Sequence, residues 1–294
     1  MACGPGWTAD DLAGDVKLRL YHHYDGARIA YREAGTGPPL ALFHSGGLSH
    51  REFEPVVDRL SERFRLVLPD LPLHGDSEDR PRHPYTPDWL ADVIAGFCRD
   101  TLGPRPLVGG HDAGADLLLL AVASGRLTPS RMVLMSSRLH AAPVRPGMLR
   151  GWKTIARAAA VPGLDRALSH GAALVARPGL AQKLTVRDEP GAADLLRHAF
   201  ADVAGNGNRA RSWARLARSW PTGPQPHLLD AYASITAPTL LLWADQDPWH
   251  PVWIAEEALA HLPDADLRLL PDTGFLMAYD DPVGVGRELA AFLG

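Results

Sequence analysis

Val108-Gly-Gly-His-Asp-Ala-Gly114 lies between an apolar run, 106–108, and a helix-like run, 115–123. The first run is typical of a short buried strand and the second of a helix. Glycines 110 and 114 flank Asp112, which predicts a turn so tight that side chains at the glycine positions would collide with neighbouring backbone. Such a turn presents one carboxylate at the edge of a sheet, beside a helix N-terminus whose dipole favours an anion.

Strand and helix patterns alternate along most of the chain. Strands are predicted at 16–24, 28–32, 39–43, 64–68, 106–108, 131–135, 238–243 and 267–270, and helices at 53–60, 89–101, 115–123, 251–261 and 282–293. Asp25-Gly26 is a hairpin signal between the first two strands. The alternation predicts an α/β fold, a mostly parallel twisted sheet with helices on both faces.

The pattern changes between about Arg138 and Tyr232, where no convincing strand occurs and prolines separate short helical runs. We therefore predict a core domain of residues 1–137 and 233–294, interrupted by a helical cap of residues 138–232. Residues 205–208 are predicted to form a loop within the cap, and residues 1–14 a loose lead-in.

Composition narrows the class of protein. The chain has 294 residues, 46% of them hydrophobic, and a net charge of −4. It has no dense basic run, so we expect no nucleic-acid partner. Two distant cysteines and the absence of a signal or membrane-spanning run predict a cytoplasmic protein that does not contact membranes. The glycine-rich stretches lack dinucleotide and P-loop spacings, so no cofactor is expected, and no metal-ligand spacing is present.

Five motifs together resemble the α/β-hydrolase superfamily. They are His44-Ser-Gly-Gly47, Asp70-Leu-Pro-Leu-His-Gly-Asp-Ser77, Gly110-His-Asp-Ala-Gly114, Leu242-Trp-Ala-Asp-Gln-Asp247, and Asp272-Thr-Gly-Phe275 with Asp281-Pro282 behind it. An Asp at the centre of the third motif is similar to haloalkane dehalogenases and epoxide hydrolases. In those enzymes the carboxylate attacks carbon and forms an ester, which a His-activated water then cleaves. The resemblance implies an α/β-hydrolase fold acting on an apolar small molecule.

The resemblance also implies roles for individual residues. Asp112 is the candidate nucleophile or general base, the alternative being an Asp that only caps the following helix. Ser45 or Gly46 would donate a backbone N–H to an oxyanion hole, together with the N–H of Ala113. Asp247 matches the position of the family's catalytic acid.

The sequence departs from the family where a catalytic His is expected, because Gly274 is followed by Phe275. Phenylalanine cannot transfer a proton. His250 is the nearest candidate replacement, although a solvent-facing position before a helix is favoured for it. We predict that Phe275, His250 and Trp249 border the substrate pocket.

Other positions bear on the substrate. His44 and His111 are predicted to border the pocket in packing or hydrogen-bonding roles rather than as catalysts. The position after the nucleophile holds Ala113, where dehalogenases have a halide-binding Trp, and the cap has no obvious pair of tyrosines like that of epoxide hydrolases.

Three hypotheses follow for function. We favour non-hydrolytic acid/base chemistry at Asp112, such as a cyclisation, isomerisation, elimination or rearrangement, in a pocket that Phe275 keeps dry. A composition rich in Ala, Arg, Gly and Pro suggests a high-GC bacterium, in which such enzymes often tailor natural products. The alternatives are an epoxide, haloalkane or ester hydrolase with a relocated base, and a catalytically inactive protein that binds a small molecule.

Overall fold

The computed structural model describes residues 17–80, 82–144, 146–158, 164, 178–201 and 206–294. In this part of the chain, eight strands form one sheet. The strands are β1 (Lys17–His22), β2 (Arg28–Ala34), β3 (Pro39–Phe43), β4 (Arg65–Pro69), β5 (Leu107–His111), β6 (Arg131–Met135), β7 (Thr239–Ala244) and β8 (Ala265–Leu270). The predicted strands are confirmed, most of them to within two residues, and the lead-in at 1–14 lies outside the described residues.

The strand order is β1-β2-β4-β3-β5-β6-β7-β8. β1, β2 and β4 pair antiparallel, and all pairs from β4 onward across the sheet are parallel. The loops that follow the parallel strands therefore meet at one edge, where ligands bind in sheets of this kind. That edge holds the loops after β3, β5 and β7, which carry most of the predicted site residues.

Helices cover both faces of the sheet. Their bounds are α1 (Val57–Ser61), α2 (Pro87–Leu102), α3 (Ala113–Ala123), α4 (Pro146–Ala158), α5 (Pro178–Leu184), α6 (Glu189–Ala201), α7 (Gly207–Ser219), α8 (Pro226–Ala231), α9 (Val252–His261), α10 (Met277–Asp280) and α11 (Pro282–Leu293). Together with the sheet, they confirm the predicted α/β-hydrolase fold.

Alternate residues of the central strands enter two separate cores. In β3, Leu42 packs in a cluster with Val57 of α1 and Leu289 of α11, whereas Phe43 packs in a cluster with Leu118 of α3. Strands that bury both faces read as continuous apolar runs, which is why the sequence marked them clearly.

One local prediction is confirmed with a change of helix type, and another is wrong in part. The helix expected at 53–60 is a 3-10 helix over His50–Val56 that continues into α1, with Pro55 inside its first part. Residue 205 of the loop expected at 205–208 lies outside the described residues, and α7 already begins at Gly207, because the Asn206 side chain accepts the N–H of Arg209 and caps the helix.

The described residues between 138 and 232 form helices and loops and no strand. The division into a core of 1–137 and 233–294 and a cap of 138–232 stays a prediction.

No helix in the described ranges combines the length and the apolar composition that crossing a bilayer requires.

Candidate active site

The turn between β5 and α3 holds Asp112 in an unusual backbone conformation, with φ 46° and ψ −116°. A Cβ on Gly110 would lie 2.6 Å from the carbonyl carbon of Gly114, and one on Gly114 would lie 2.2 Å from the Phe43 carbonyl oxygen. Backbone cannot move aside cheaply, so glycine is required at both positions. Such a strained residue costs about 1–3 kcal/mol, which the surrounding sheet and helix must offset.

The Asp112 carboxylate lies at the carboxyl edge of the sheet, with 26% of its side chain exposed. Its Oδ2 accepts the backbone N–H of Gly46 at 3.0 Å, and the N–H of Ala113 also hydrogen-bonds the carboxylate. These are two of the donors expected for an oxyanion hole. The expectation for Ser45 is corrected, because its N–H donates to Glu52 Oε2 at 2.6 Å and not toward Asp112.

His250 supplies an imidazole to this site. Its Nδ1 lies 2.8 Å from Asp247 Oδ2, and its Nε2 lies 3.4 Å from Asp112 Oδ1. The residue is 5% exposed, so the favoured solvent-facing position was wrong.

The loop after β7 explains the direction of this ring. Asp247 Oδ1 accepts the backbone N–H groups of Trp249 at 2.8 Å and of His250 at 3.2 Å. An Asp that bonds the backbone two and three residues ahead curls the chain back on itself. Because of this turn, the imidazole lies against the other oxygen of the same carboxylate.

The two carboxylates set the charge of the imidazole between them. Burial alone would lower the pKa of His250, but Asp247 and Asp112 outweigh it and raise that pKa to about 10. Burial would raise the pKa of Asp112, yet its hydrogen bond and attraction to His250 hold that pKa below its ordinary value. At neutral pH the site therefore contains an imidazolium between two carboxylates.

Phe275 is buried beside this group and forms part of its wall. Its ring centroid lies 4.7 Å from that of His111, 5.1 Å from that of Trp249 and 5.8 Å from that of His250, the last pair being stacked. Phe275 thus packs against the imidazole that contacts Asp112 and restricts its movement.

Trp249 lines a cleft of about 310 Å³. The cleft is bordered by Gln182, Lys183, Thr185, Val186, Gln246, Pro248, Trp249 and Gly274. The indole Nε1 of Trp249 is buried and has no hydrogen-bond acceptor among the described residues.

His44 and His111 lie beneath the turn that carries Asp112. His44 donates from Nδ1 to the Ser45 carbonyl at 2.8 Å and accepts the Leu71 N–H on Nε2 at 2.9 Å. Both of its nitrogens are thus occupied, and it supports the loop from below instead of lining a pocket. His111 lies with its Nδ1 against Ser45 Oγ, at 2.8 Å, and against the Glu52 carboxylate.

Glu52 was missed in the sequence. It lies next to Phe53 in an apparently amphipathic run, where an acidic residue is typical of an exposed helix face. In the structure it is 1% exposed, because its carboxylate lies between the loops after β3 and β5. No local signal in the sequence indicated that contact.

The chain resembles known proteins over most of its length. A family model described as alpha/beta hydrolase fold matches residues 38–282. Haloalkane dehalogenase 2 from Mycobacterium bovis is 30% identical over 269 residues, 87% of each chain.

Two solved structures share the fold. An esterase from Thermogutta terrifontis superposes with a TM-score of 0.75 at 21% identity, over 95% of this chain and 98% of the esterase. The epoxide hydrolase CorEH superposes with a TM-score of 0.73 at 18% identity, over 95% of this chain and 98% of CorEH. The family model and the sheet order agree, and the chain belongs to the α/β-hydrolase family.

Proposed function

We propose that this protein is a hydrolase that opens an epoxide through a covalent ester on Asp112, with His250 as the group that moves protons. The observation that carries the proposal is the position of the His250 imidazole, 2.8 Å from Asp247 and 3.4 Å from Asp112. A nucleophile, a base and an acid that orients the base are the parts that covalent hydrolysis requires.

This proposal replaces the non-hydrolytic chemistry that the sequence favoured. That preference depended on Phe275 leaving the site without an imidazole. Since His250 supplies one from the loop after β7, the reason for excluding water-dependent chemistry no longer holds. The relocated-base alternative therefore fits the geometry better.

In the first step, the Asp112 carboxylate attacks one epoxide carbon, and the carbon–oxygen bond of the ring breaks. The electron pair of that bond stays on oxygen as an alkoxide. The His250 imidazolium gives its Nε2 proton to the alkoxide, so the products are an Asp112 ester with a free hydroxyl group and a neutral imidazole.

In the second step, neutral His250 takes a proton from water, and the hydroxide attacks the ester carbonyl of Asp112. The N–H groups of Gly46 and Ala113 stabilise the oxyanion that forms. Collapse of the tetrahedral intermediate breaks the ester bond and expels the alkoxide, which takes the proton of the newly formed Asp112 carboxyl group, so that the diol, the carboxylate and the imidazolium result. The ester removes the negative charge of Asp112, which lowers the pKa of His250 when a base is needed.

Two features favour an epoxide as substrate. An opened epoxide needs a proton, and the imidazolium beside Asp112 can donate one. Ala113 also offers no indole N–H to a departing halide.

A haloalkane is the second candidate. It is supported by the similarity to haloalkane dehalogenase 2 and by the buried indole N–H of Trp249. A halide would leave without a proton, so His250 would first release its own proton to solvent.

A single turnover in H₂¹⁸O, with enzyme in excess over an epoxide probe, tests the proposal. We expect ¹⁸O in the Asp112 carboxylate, read by peptide mass spectrometry, because water attacks the ester carbonyl and the diol keeps an oxygen from Asp112. Label that appears in the diol and not in Asp112 would rule out the ester.

Three variants separate the candidates. Asp112→Asn should abolish turnover of every probe. With a haloalkane probe, His250→Gln should accumulate the ester as a stable mass adduct if that class is the substrate. With an epoxide probe, His250→Gln should slow ester formation itself. Binding of a probe without any adduct, unchanged by Asp112→Ala, would instead support the small-molecule-binding alternative.

A further inference from the structure

Glu52 joins the two loops that surround the nucleophile. Its Oε2 accepts the Ser45 N–H at 2.6 Å, and its Oε1 accepts the Ser45 hydroxyl at 2.7 Å and also contacts His111 Nδ1. Glu52 is 1% exposed. A carboxylate this deeply buried is costly unless donors surround it, and here three donors do so.

The bond to Ser45 bears directly on the oxyanion hole. Ser45 immediately precedes Gly46, whose N–H lies 3.0 Å from Asp112 Oδ2. Because the Ser45 N–H and hydroxyl are both held by Glu52, the peptide that carries the Gly46 N–H has little freedom to rotate. A donor aimed before the reaction starts stabilises an oxyanion best.

The bond to His111 determines where the hydrogen of that ring lies. Nδ1 faces a carboxylate, so it carries the hydrogen. Nε2 is buried and lacks a partner in the described part of the chain, and the ring packs against Phe275. His111 is also the residue before Asp112, so its ring orientation influences the turn that carries the nucleophile.

We propose that Glu52 is a positioning residue for the reaction, holding the Gly46 N–H on Asp112 through Ser45 and supporting the catalytic turn through His111. The proposal rests on the proposed function for its kinetic measurement only. Its spectroscopic measurements do not depend on turnover.

Glu52→Gln is the informative variant, because an amide keeps the shape of the side chain but cannot accept from all three donors. One of them must face the amide NH₂ group. The ring of His111 can adapt by moving its hydrogen from Nδ1 to Nε2, so that Nδ1 accepts from the amide.

We expect Glu52→Gln to lower kcat by about tenfold, less than the loss of a whole oxyanion donor, while KM stays within about twofold. Glu54→Gln is the matched control on the same 3-10 helix. Glu54 Oε1 lies 4.0 Å from Arg51 Nε and from His50 Nε2, and these contacts include neither Ser45 nor His111, so its variant should keep both constants. An unchanged kcat in Glu52→Gln, or an equal loss in the control, would overturn the proposal.

NMR of the imidazole and amide groups supplies the second measurement. In the unmodified protein, ¹⁵N shifts should show the His111 hydrogen on Nδ1 and a strongly hydrogen-bonded Gly46 amide proton. In Glu52→Gln, the hydrogen should appear on Nε2 and the Gly46 proton should shift upfield.

The outcomes are distinguishable. If Glu52→Gln does not fold, the spectrum of the unmodified protein decides, and a hydrogen on Nε2 with a bare Nδ1 contradicts the inference. If no probe forms an ester on Asp112, the proposed function fails, while the Gly46 and His111 shifts still test Glu52. If the unmodified protein turns over the probe, and Glu52→Gln shows a normal kcat and an unchanged Gly46 shift, the inference about Glu52 is refuted while the proposed function stands.

Discussion

At the scale of single residues, the turn that carries Asp112 depends on the absence of a Cβ at its two glycines. Neighbouring backbone fills the space where a Cβ of Gly110 or Gly114 would lie. That backbone belongs to β3 and to the start of α3, which cannot move without disturbing the sheet. Asp112 can therefore occupy its strained conformation only while both flanking positions remain glycine.

Gly114→Ala should destabilise the protein by about 3 kcal/mol, since the added carbon would lie 2.2 Å from the Phe43 carbonyl oxygen. Gly151→Ala in α4 is the control, because no atom of the described residues outside the helix backbone lies within 4 Å of an added Cβ, and alanine favours a helix. Urea unfolding of both variants measures the difference. Equal stability of the two would contradict the crowding seen at Gly114.

The charge of His250 predicts a pH dependence of stability. Its pKa is about 10 in the folded protein against an ordinary 6.5. A raised pKa means that the stabilisation is complete below pH 6.5 and is lost as pH rises toward 10. The unfolding free energy should therefore fall across this range, and His250→Gln should remove much of that fall. If the unfolding free energies of the two proteins fell in parallel with pH, His250 would not be an imidazolium stabilised by the two carboxylates.

At the scale of elements, α3 connects Asp112, the proposed nucleophile, to the start of the predicted cap. Asp116 lies one turn after Asp112 and accepts the N–H of Leu139 at 2.7 Å. Leu139 has a positive φ of 51°, a strained value for a branched residue, so this bond fixes the chain where it leaves β6. The Arg138 guanidinium lies 3.8 Å from the same carboxylate.

Asp116→Asn should also remove a fall of stability with rising pH, but over a lower pH range than His250→Gln. Burial raises the pKa of Asp116 to about 6, with Asp112 adding to the rise and Arg138 and His250 opposing it. Because the pKa of Asp116 is higher in the folded protein than the ordinary 3.8, the unfolding free energy falls as pH rises from about 3.8 toward about 6. Relative to the unmodified protein, the variant should gain about 2 kcal/mol between pH 4 and pH 8, by urea unfolding. A gain that is independent of pH would contradict this.

At the scale of the whole molecule, the predicted cap is held to the sheet domain by Arg209 of α7. Its guanidinium donates to the carbonyl groups of Gly75 at 3.1 Å and Ser77 at 3.3 Å, and it lies 3.4 Å from Asp79 Oδ2. These acceptors belong to the loop after β4. This buried cation therefore helps to orient α7 over the carboxyl edge of the sheet, together with the Ser212 hydroxyl, which donates to the Asp79 carbonyl at 3.0 Å, and the Ser219 hydroxyl, which donates to the Tyr85 carbonyl at 2.7 Å.

Arg209→Ala should lower the unfolding free energy by about 2–4 kcal/mol, because several carbonyl and carboxylate groups lose their donor. If α7 borders the substrate, KM should rise more than kcat falls. Arg211→Ala is the control, since this residue is exposed on the same helix. Similar losses in both variants would indicate a general effect of shortening arginines on α7.

The accuracy of the sequence-based prediction varied with the kind of contact involved. The predicted bounds of β3, β6 and α11 are those observed. Continuous apolar runs mark the two strands, and the Asp281-Pro282 pair marks the start of α11, and both signals are local in the sequence. α10 was not predicted, since a single turn over Met277–Asp280 leaves no periodic pattern. His250 had one usable signal, an Asp three residues earlier that could bond its backbone, and this signal was outweighed by the expectation of an exposed loop.

The sequence by itself determined the sheet, its two cores and the turn that presents Asp112, since apolar periodicity and flanking glycines act over neighbouring residues. Only the tertiary structure decided which imidazole contacts Asp112 and which carboxylate supports the oxyanion loop. His250 is 138 positions from Asp112 along the chain, and Glu52 is 59 from His111. Such contacts depend on the directions in which separate loops leave one sheet edge, and no local pattern encodes those directions.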